Sequence, residues 1–298
     1  MFIEVLFLAA ALIGTAVGGW IDLKTTEIPD IVPASMVGIG LVLHIANSIM
    51  LGSFHGLVYA LIVSAIYLVF GYIFYYTGQW GEADVLLLAA TVFLIPQPLS
   101  FFNITALEEL YPLVFLINTF IIGGIYSVIY SIILALKHKE VFSNFFKDIT
   151  KNAKKITLTL ILLTAGLMAV TLILSQSMRI NIIPELIMLQ LIFFIPMATA
   201  LVLMYRFAVV LDNTAFRNKI PVSKLEEGDV LAEDIKLKDT ILSGKLFIGL
   251  TKEQIKLITK EKKHVYIKEG IRYGPTFFLA ILFTWFFGNS IFLLFGWI

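Results

Sequence analysis

The chain contains no cysteine and only 4 histidines, which stand far apart. That removes a disulfide framework, a cysteine-ligated zinc and a thiol nucleophile, and it leaves no histidine spacing suited to a metal. Charge is scarce too: 14% of the 298 residues are charged, where soluble domains carry about 25%. An ordinary soluble enzyme is excluded on that ground. Apolar length takes the place of charge, with 59% hydrophobic residues and a mean hydropathy of +0.93. Runs without Asp, Glu, Lys or Arg cover 32–51, 57–76 and 156–174. A helix rising about 1.5 Å per residue needs about 20 residues to cross about 30 Å of hydrocarbon, so each run is long enough to span a bilayer. The first apolar run, Phe2 to Trp20, has no basic segment before it and no small-residue cleavage site before Asp22. It is therefore expected to be a span and not a removed leader.

Apolar length, Gly/Pro punctuation and charge breaks predict spans near 2–20, 32–51, 56–76, 84–100, 112–136, 156–175, 184–210 and 275–297. The fold class expected is an all-α polytopic membrane protein with about eight transmembrane helices. Lys and Arg near span ends stay cytoplasmic. With the N-terminus outside, this arrangement puts every Lys and Arg except Arg179 on the cytoplasmic side. Reversing the orientation or dropping one early span would scatter them, so span number and orientation support each other. The net charge of +1 hides this unevenness and argues for no nucleic-acid partner.

Residues 212–273 differ in composition, rich in Lys, Glu and Asp with short apolar alternations. They read as a small α+β cytosolic domain inserted before the last helix. Strands are expected at Val230–Ile235, Lys245–Ile248 and His264–Lys268. Thr251 followed by Gln254 forms a capping-box start for a helix over Lys252–Lys262. No phosphate loop or nucleophile elbow occurs in this segment, so it is expected to be a regulatory or structural appendage.

Ionisable groups at membrane depth are costly, which makes those near span ends functional candidates. Asp22 follows the first span in Trp20-Ile21-Asp22-Leu23-Lys24-Thr25-Thr26-Glu27-Ile28-Pro29-Asp30, and Asp84 opens the fourth in Gly78-Gln79-Trp80-Gly81-Glu82-Ala83-Asp84-Val85. The charge-derived topology brings both to the cytoplasmic leaflet, where they can meet. Two carboxylates a few ångströms apart cannot both ionise, which leaves one as base and one as acid. Plainer readings exist for each neighbour. Asp22 alone could be a solvated interfacial acid or pair with Lys24, Glu82 suits a first-turn anion, and Asp30 suits the N-cap of the second span. Lys24 could act on Asp22 or snorkel as an anchor. Glu27 could receive a basic substrate residue or be solvated. Gly78 and Gly81 flank Trp80 and suggest an active-site loop. His44 reads as a packed polar residue, and Glu4 as span-end solvation.

The segments Ile21-Asp22 to Ile28-Pro29-Asp30 and Gly81-Glu82-Ala83-Asp84 resemble the type IV prepilin peptidases and their archaeal preflagellin (prearchaellin) relatives, membrane aspartic proteases of the GxGD class. Ala83 stands where the strict motif has Gly. Pro221-Val222-Ser223-Lys224-Leu225-Glu226-Glu227-Gly228-Asp229-Val230-Leu231-Ala232 and Val265-Tyr266-Ile267-Lys268 are similar to the C-terminal region of archaeal members. The resemblance implies a six-helix peptidase core plus extra spans, with Asp22 and Asp84 as the catalytic pair. Substrate contacts are then expected at Glu27, Asp30, Glu82 and Lys24, with Gly78 and Gly81 in the active-site loop. The implied organisation is a membrane aspartic peptidase core at 1–136, a basic cytosolic loop at 137–155, additional transmembrane helices at 156–211, the small domain at 212–273 and a last helix at 274–298. The implied reaction is removal of the short basic leader of prepilin-like or preflagellin-like precursors at the cytoplasmic face of the cell membrane. No cofactor or metal is implied. Bacterial enzymes that also methylate their product carry paired cysteines, so cleavage without methylation is expected. Partners would be those precursors and the lipid bilayer, with self-association into a homo-oligomer left open. Two other classes fit the acids less well. A proton-coupled transporter would want them at the midplane with paired broken helices, and a non-catalytic assembly scaffold would show no cleavage.

Overall fold

The computed structural model describes residues 2–102, 110–178, 184–238, 240–244 and 249–288. The chain divides into two compact units, Met1–Tyr130 with Lys219–Ile298, and Ser131–Asn218.

The first unit opens with three long helices, α1 (Phe2–Thr25), α2 (Ile31–Leu51) and α3 (His55–Tyr76), matching the first three expected spans. The fourth expected span, 84–100, is a shorter helix, α4 (Glu82–Leu94). It stops at Leu94 because Pro96 disfavours helical backbone at Ile95, which sits at φ −127° and ψ 73°. Its residues from Leu87 to Leu94 are all buried, the signature of a helix enclosed on every side. Helix α5 (Tyr111–Lys137) follows, and α9 (Pro275–Phe287) closes the described chain.

Large apolar side chains such as Ile62, Ile66, Val69 and Ile73 on α3 point outward, while Thr15, Asp22, His44, Ser48, Thr91, Asn118 and Thr284 are buried. This reversal of the soluble pattern suits a lipid surround, where buried polar groups must find partners inside the protein. Several do so: Thr15 Oγ1 donates to the Ala11 carbonyl at 2.7 Å, His44 Nε2 lies 2.7 Å from the Phe93 carbonyl, and Asn118 Nδ2 donates to Thr284 Oγ1 at 2.9 Å. His44 is thus the packed polar residue expected of it.

The same unit carries the small polar domain with its own apolar core of Val222, Leu225, Leu231, Ile235, Leu250, Ile258, Val265 and Ile267. Strands β1 (Arg217–Pro221), β2 (Val230–Leu231) and β5 (His264–Lys268) form one sheet in the order β1-β5-β2, and β3 (Ile235–Lys236) pairs antiparallel with β4 (Ile241–Leu242). The single strand expected over Val230–Ile235 is therefore two strands in different sheets. The break falls at Glu233 and Asp234, where Asp234 Oδ1 accepts the Gly244 N–H at 2.9 Å and turns the chain. Helix α8 (Lys252–Glu261) begins with the expected capping box: Thr251 N–H donates to Gln254 Oε1 at 3.0 Å, and Gln254 N–H to Thr251 Oγ1 at 3.3 Å. The strand expected at Lys245–Ile248 lies outside the described residues.

In the second unit α6 (Glu140–Met178) and α7 (Pro184–Thr214) pack as a hairpin. The segment 137–155, expected as a basic loop, is mostly the first turns of α6. From 140 to 165 no Gly or Pro interrupts the helix, and the 39 residues reach about 58 Å, far beyond a hydrocarbon core. The basic half is tied to α7 by Arg206, whose Nε donates to Asp148 Oδ2 at 2.7 Å and whose Nη2 donates to Oδ1. Among the described residues six helices, α1, α2, α3, α5, α6 and α7, are long and apolar enough to cross a membrane, while α4 and α9 are shorter.

Candidate active site

Asp22 lies near the end of α1 between partly buried Ile21 and exposed Leu23, yet it is only 5% exposed itself. What covers it is the start of α9. Gly274 N–H donates to Asp22 Oδ2 at 2.7 Å. Such an approach needs residues without side chains on both partners. A Cβ at Gly19 would stand 2.9 Å from the Pro275 N and Cα, and one at Gly274 would stand 3.0 Å from Asp22 Cβ and Oδ2. Arg272, two residues earlier, donates from Nη1 to the Leu23 carbonyl. The Arg272 carbonyl accepts from Tyr126 Oη on α5 at 2.8 Å. The segment Arg272–Gly274 is thus bound to both α1 and α5.

Asp84 occupies the third position of α4. Its Oδ2 accepts the Gly81 N–H at 3.0 Å, satisfying a donor that a helix start leaves open. Helices α1 and α4 pack together, with Leu87 against Gly18, and the Asp22 charge is among the influences on Asp84. Beside them Trp80, 8% exposed, stacks on Phe120 at 5.6 Å and packs tilted against Phe74 at 4.9 Å and Tyr273 at 5.8 Å, with Phe277 edge-on at 6.3 Å. Burial, with the Asp84 charge adding to it, pushes the Tyr273 hydroxyl above its ordinary range. It stays a proton donor at working pH.

The remaining expected residues spread around this centre. Gly78 adopts φ +72° in the turn that ends α3, a left-handed geometry that favours glycine. Gly81 is the N-cap of α4 in extended backbone and has no such need. Glu82 is in the first turn, as expected, and accepts from Tyr72 Oη at 3.3 Å. Asp30 holds the N-cap position of α2, but its side chain makes no cap hydrogen bond. Its backbone is already helical, which turns the carboxylate away from the open N–H groups. Lys24 is not the cation beside Asp22. Its Nζ sits 4.5 Å over the Trp20 ring, while the charge acting on Asp22 belongs to Arg272. Glu4 bonds to Ser100 and takes no part in the centre. Glu27 lies in the loop after α1, where partial burial and the charges of Glu226 and Asp229 push its carboxyl above the ordinary range. Asp229 is raised as well, by burial first, although the Glu226 N–H donates to its Oδ2 at 2.8 Å. An acidic face therefore joins the Asp22 loop to the small domain.

The sequence alone does not single out Arg272, Tyr273 and Gly274. They sit on the boundary drawn at 273 and 274, and Gly274 is 252 positions from Asp22. A Gly-Pro pair entering an apolar span was the one available signal. Among the described residues no three His, Asp or Glu side chains gather as a metal site would require.

Thr26, which ends α1 just past this carboxylate, has φ +67°. A β-branched residue in that conformation is strained, and left-handed backbone costs about 1–2 kcal/mol for residues other than Gly, Asn or Asp. Thr26→Asn is expected to stabilise the protein by about 1 kcal/mol, read as a rise in the thermal unfolding midpoint in detergent. An unchanged or lower midpoint would show that the strain is relieved elsewhere.

These features define a helical protein with six helices, among the described residues, long and apolar enough to cross a membrane, and with Asp22 and Asp84 carried on two helices that pack together. Residues 6–128, a segment that contains both carboxylates, match the model of the type IV leader peptidase family. No curated protein and no solved structure matches the chain.

Proposed function

We propose that the protein is a membrane aspartic endopeptidase that removes the short basic leader of prepilin-like or preflagellin-like precursors at the cytoplasmic face of the cell membrane, without methylating the product. The observation that carries this reading is that residues 6–128, which match the leader peptidase family, hold Asp22 on α1 and Asp84 on α4, two helices that pack together. One carboxylate takes a proton from water as the water oxygen bonds to the scissile carbonyl carbon, and the other gives its proton to the carbonyl oxygen. When the C–N bond breaks, the first returns its proton to the leaving nitrogen and the second regains one from the tetrahedral hydroxyl. The cytoplasmic assignment is supported by the one-sided placement of Lys and Arg in the sequence. The direct test is to incubate the purified chain in detergent with a precursor bearing a Lys-rich leader and to locate the cut by mass spectrometry. Intact precursor would sink the proposal, and a cut inside the mature helix would sink its specificity.

The acidic face of Glu27, Glu226 and Asp229 is a natural receiver for the basic leader. The double variant Glu27→Gln, Asp30→Asn is expected to raise KM a few-fold at low ionic strength with kcat nearly unchanged, and the effect should fade with added salt. Exposed charge pairs contribute only about 0–1 kcal/mol each and are screened, which sets that modest size. Asp30 makes no cap bond, so its substitution should not disturb α2. Because Glu27 takes up a proton above the ordinary carboxylate range, leader affinity should fall as pH drops through that raised range. Unchanged KM for a Lys-bearing leader at low salt would rule out Glu27 and Asp30 as receivers of the leader.

A further inference from the structure

Both acids of the pair accept one backbone N–H, Asp22 from Gly274 at 2.7 Å and Asp84 from Gly81 at 3.0 Å. Those donors alone leave the pair nearly symmetric. The charges around it do not. Asp22 faces Asp84 from α4, the hydroxyls of Tyr126 and Tyr130 from α5, and the guanidinium of Arg272 from the segment before α9. On its own helix Lys24 is engaged over Trp20. Asp84 faces Asp22, the Gly81 N–H and Tyr273, which is a hydroxyl and not a cation. Among the described residues, the fixed positive charge that acts on this pair is on the Asp22 side. A guanidinium keeps its proton throughout the working range. This one is anchored at two points, through Nη1 to the Leu23 carbonyl, one residue from Asp22, and through its own carbonyl to Tyr126.

We propose that Arg272 and Gly274 are positioning residues that hold Asp22 as the ionised, water-activating member of the pair and leave the shared proton on Asp84, an assignment that rests on the peptidase reading above. When two carboxylates compete for one negative charge, a nearby cation decides which of them keeps it. Asp22 then takes the proton of the attacking water, and Asp84 protonates the scissile carbonyl oxygen. On collapse Asp22 gives its proton to the leaving nitrogen, and Asp84 is reprotonated from the tetrahedral hydroxyl, so the pair ends as it began. Gly274 supplies the fixed donor, and its missing Cβ admits the Asp22 carboxylate. The small domain and the last helix thereby reach the chemistry through the three residues that join them.

The test is the pH profile of kcat/KM for the full chain in detergent against a leader-bearing precursor, which reports the free enzyme's acid and base. Removing an opposite charge a few ångströms away raises a carboxylate's titration by about one pH unit or more. Arg272→Gln should therefore move the acid limb upward by about one pH unit with the alkaline limb moving less. Arg272→Lys should move it in the same direction by a smaller amount, and stands in if the Gln variant does not fold. Gly274→Ala should lower kcat at nearly constant KM, because its methyl displaces the Asp22 carboxylate. An alkaline limb that moves alone would make Asp22 the acid and overturn the assignment, as would an acid limb unmoved in both Arg272 variants. Wild-type chain that cleaves no precursor, or Asp22→Asn that cleaves normally, would instead bring down the peptidase reading and this assignment with it.

Discussion

Asp22→Asn and Asp84→Asn are each expected to leave the protein folded and inserted while lowering leader removal by roughly a thousandfold or more, the scale of losing an acid–base partner. The substitution is chosen so that structural roles survive. An amide oxygen in place of the Asp22 carboxylate can still accept the Gly274 N–H, and one in place of the Asp84 carboxylate can still accept the Gly81 N–H that caps α4. What disappears is the ability to exchange a proton, and one carboxylate cannot serve as acid and base in the same step. Each variant should be co-expressed with a precursor and the ratio of precursor to mature product followed over time. Size-exclusion profiles matching wild type establish that the loss is chemical. Substantial maturation by either variant would remove that residue from the pair, and proton-driven uptake lost in both variants of a non-cleaving wild type would favour transport.

The second large effect is expected at Trp80. This residue has no part in proton transfer, but it fills the space between α3, α5 and the segment before α9, in ring contact with Phe74, Phe120, Tyr273 and Phe277. It also stands directly before Gly81, the residue whose N–H fixes Asp84. Trp80→Ala empties a buried aromatic site, a change that costs about 3–5 kcal/mol when the surroundings do not collapse. The expected result is a markedly lower unfolding midpoint together with a fall of at least about tenfold in kcat, since a misplacement near 1 Å at a reacting group has effects of that order or more. Trp80→Phe keeps the stack and should recover most of both. Thermal unfolding and steady-state kinetics on the same detergent preparation separate the two losses. Wild-type kcat in the Ala variant would show that Asp84 is held without this aromatic cluster.

Arg272 marks the limit of what could be read without the fold. Helices α1, α2, α3 and α5 were legible, because a run of about 20 apolar residues has one stable form in hydrocarbon, where each backbone group must bond within its own segment. The capping box of α8 was legible for the same local reason, with Thr251 and Gln254 three residues apart. The extent of α6 is not legible from charge. Its lysines are charged but good helix formers, so charge marked the membrane boundary and not the helix boundary. The strand expected across Val230–Ile235 failed because an apolar alternation does not reveal the bend that Asp234 makes with Gly244.

The amino-acid sequence by itself determined the apolar length of the helices, the places where they form and the two acids that stand near their ends. Those properties depend on composition and on neighbours within a few turns of the same helix. Only the tertiary structure decided which groups surround each acid. Asp22 is covered by Gly274 and lies under the charge of Arg272, while Lys24, two residues away in sequence, turns onto Trp20. The physical reason is that a side chain's electrostatic surroundings depend on which helices pack together. Close approach of α1 to the start of α9 depends on two glycines whose meaning appears only when each is seen against the backbone of the other.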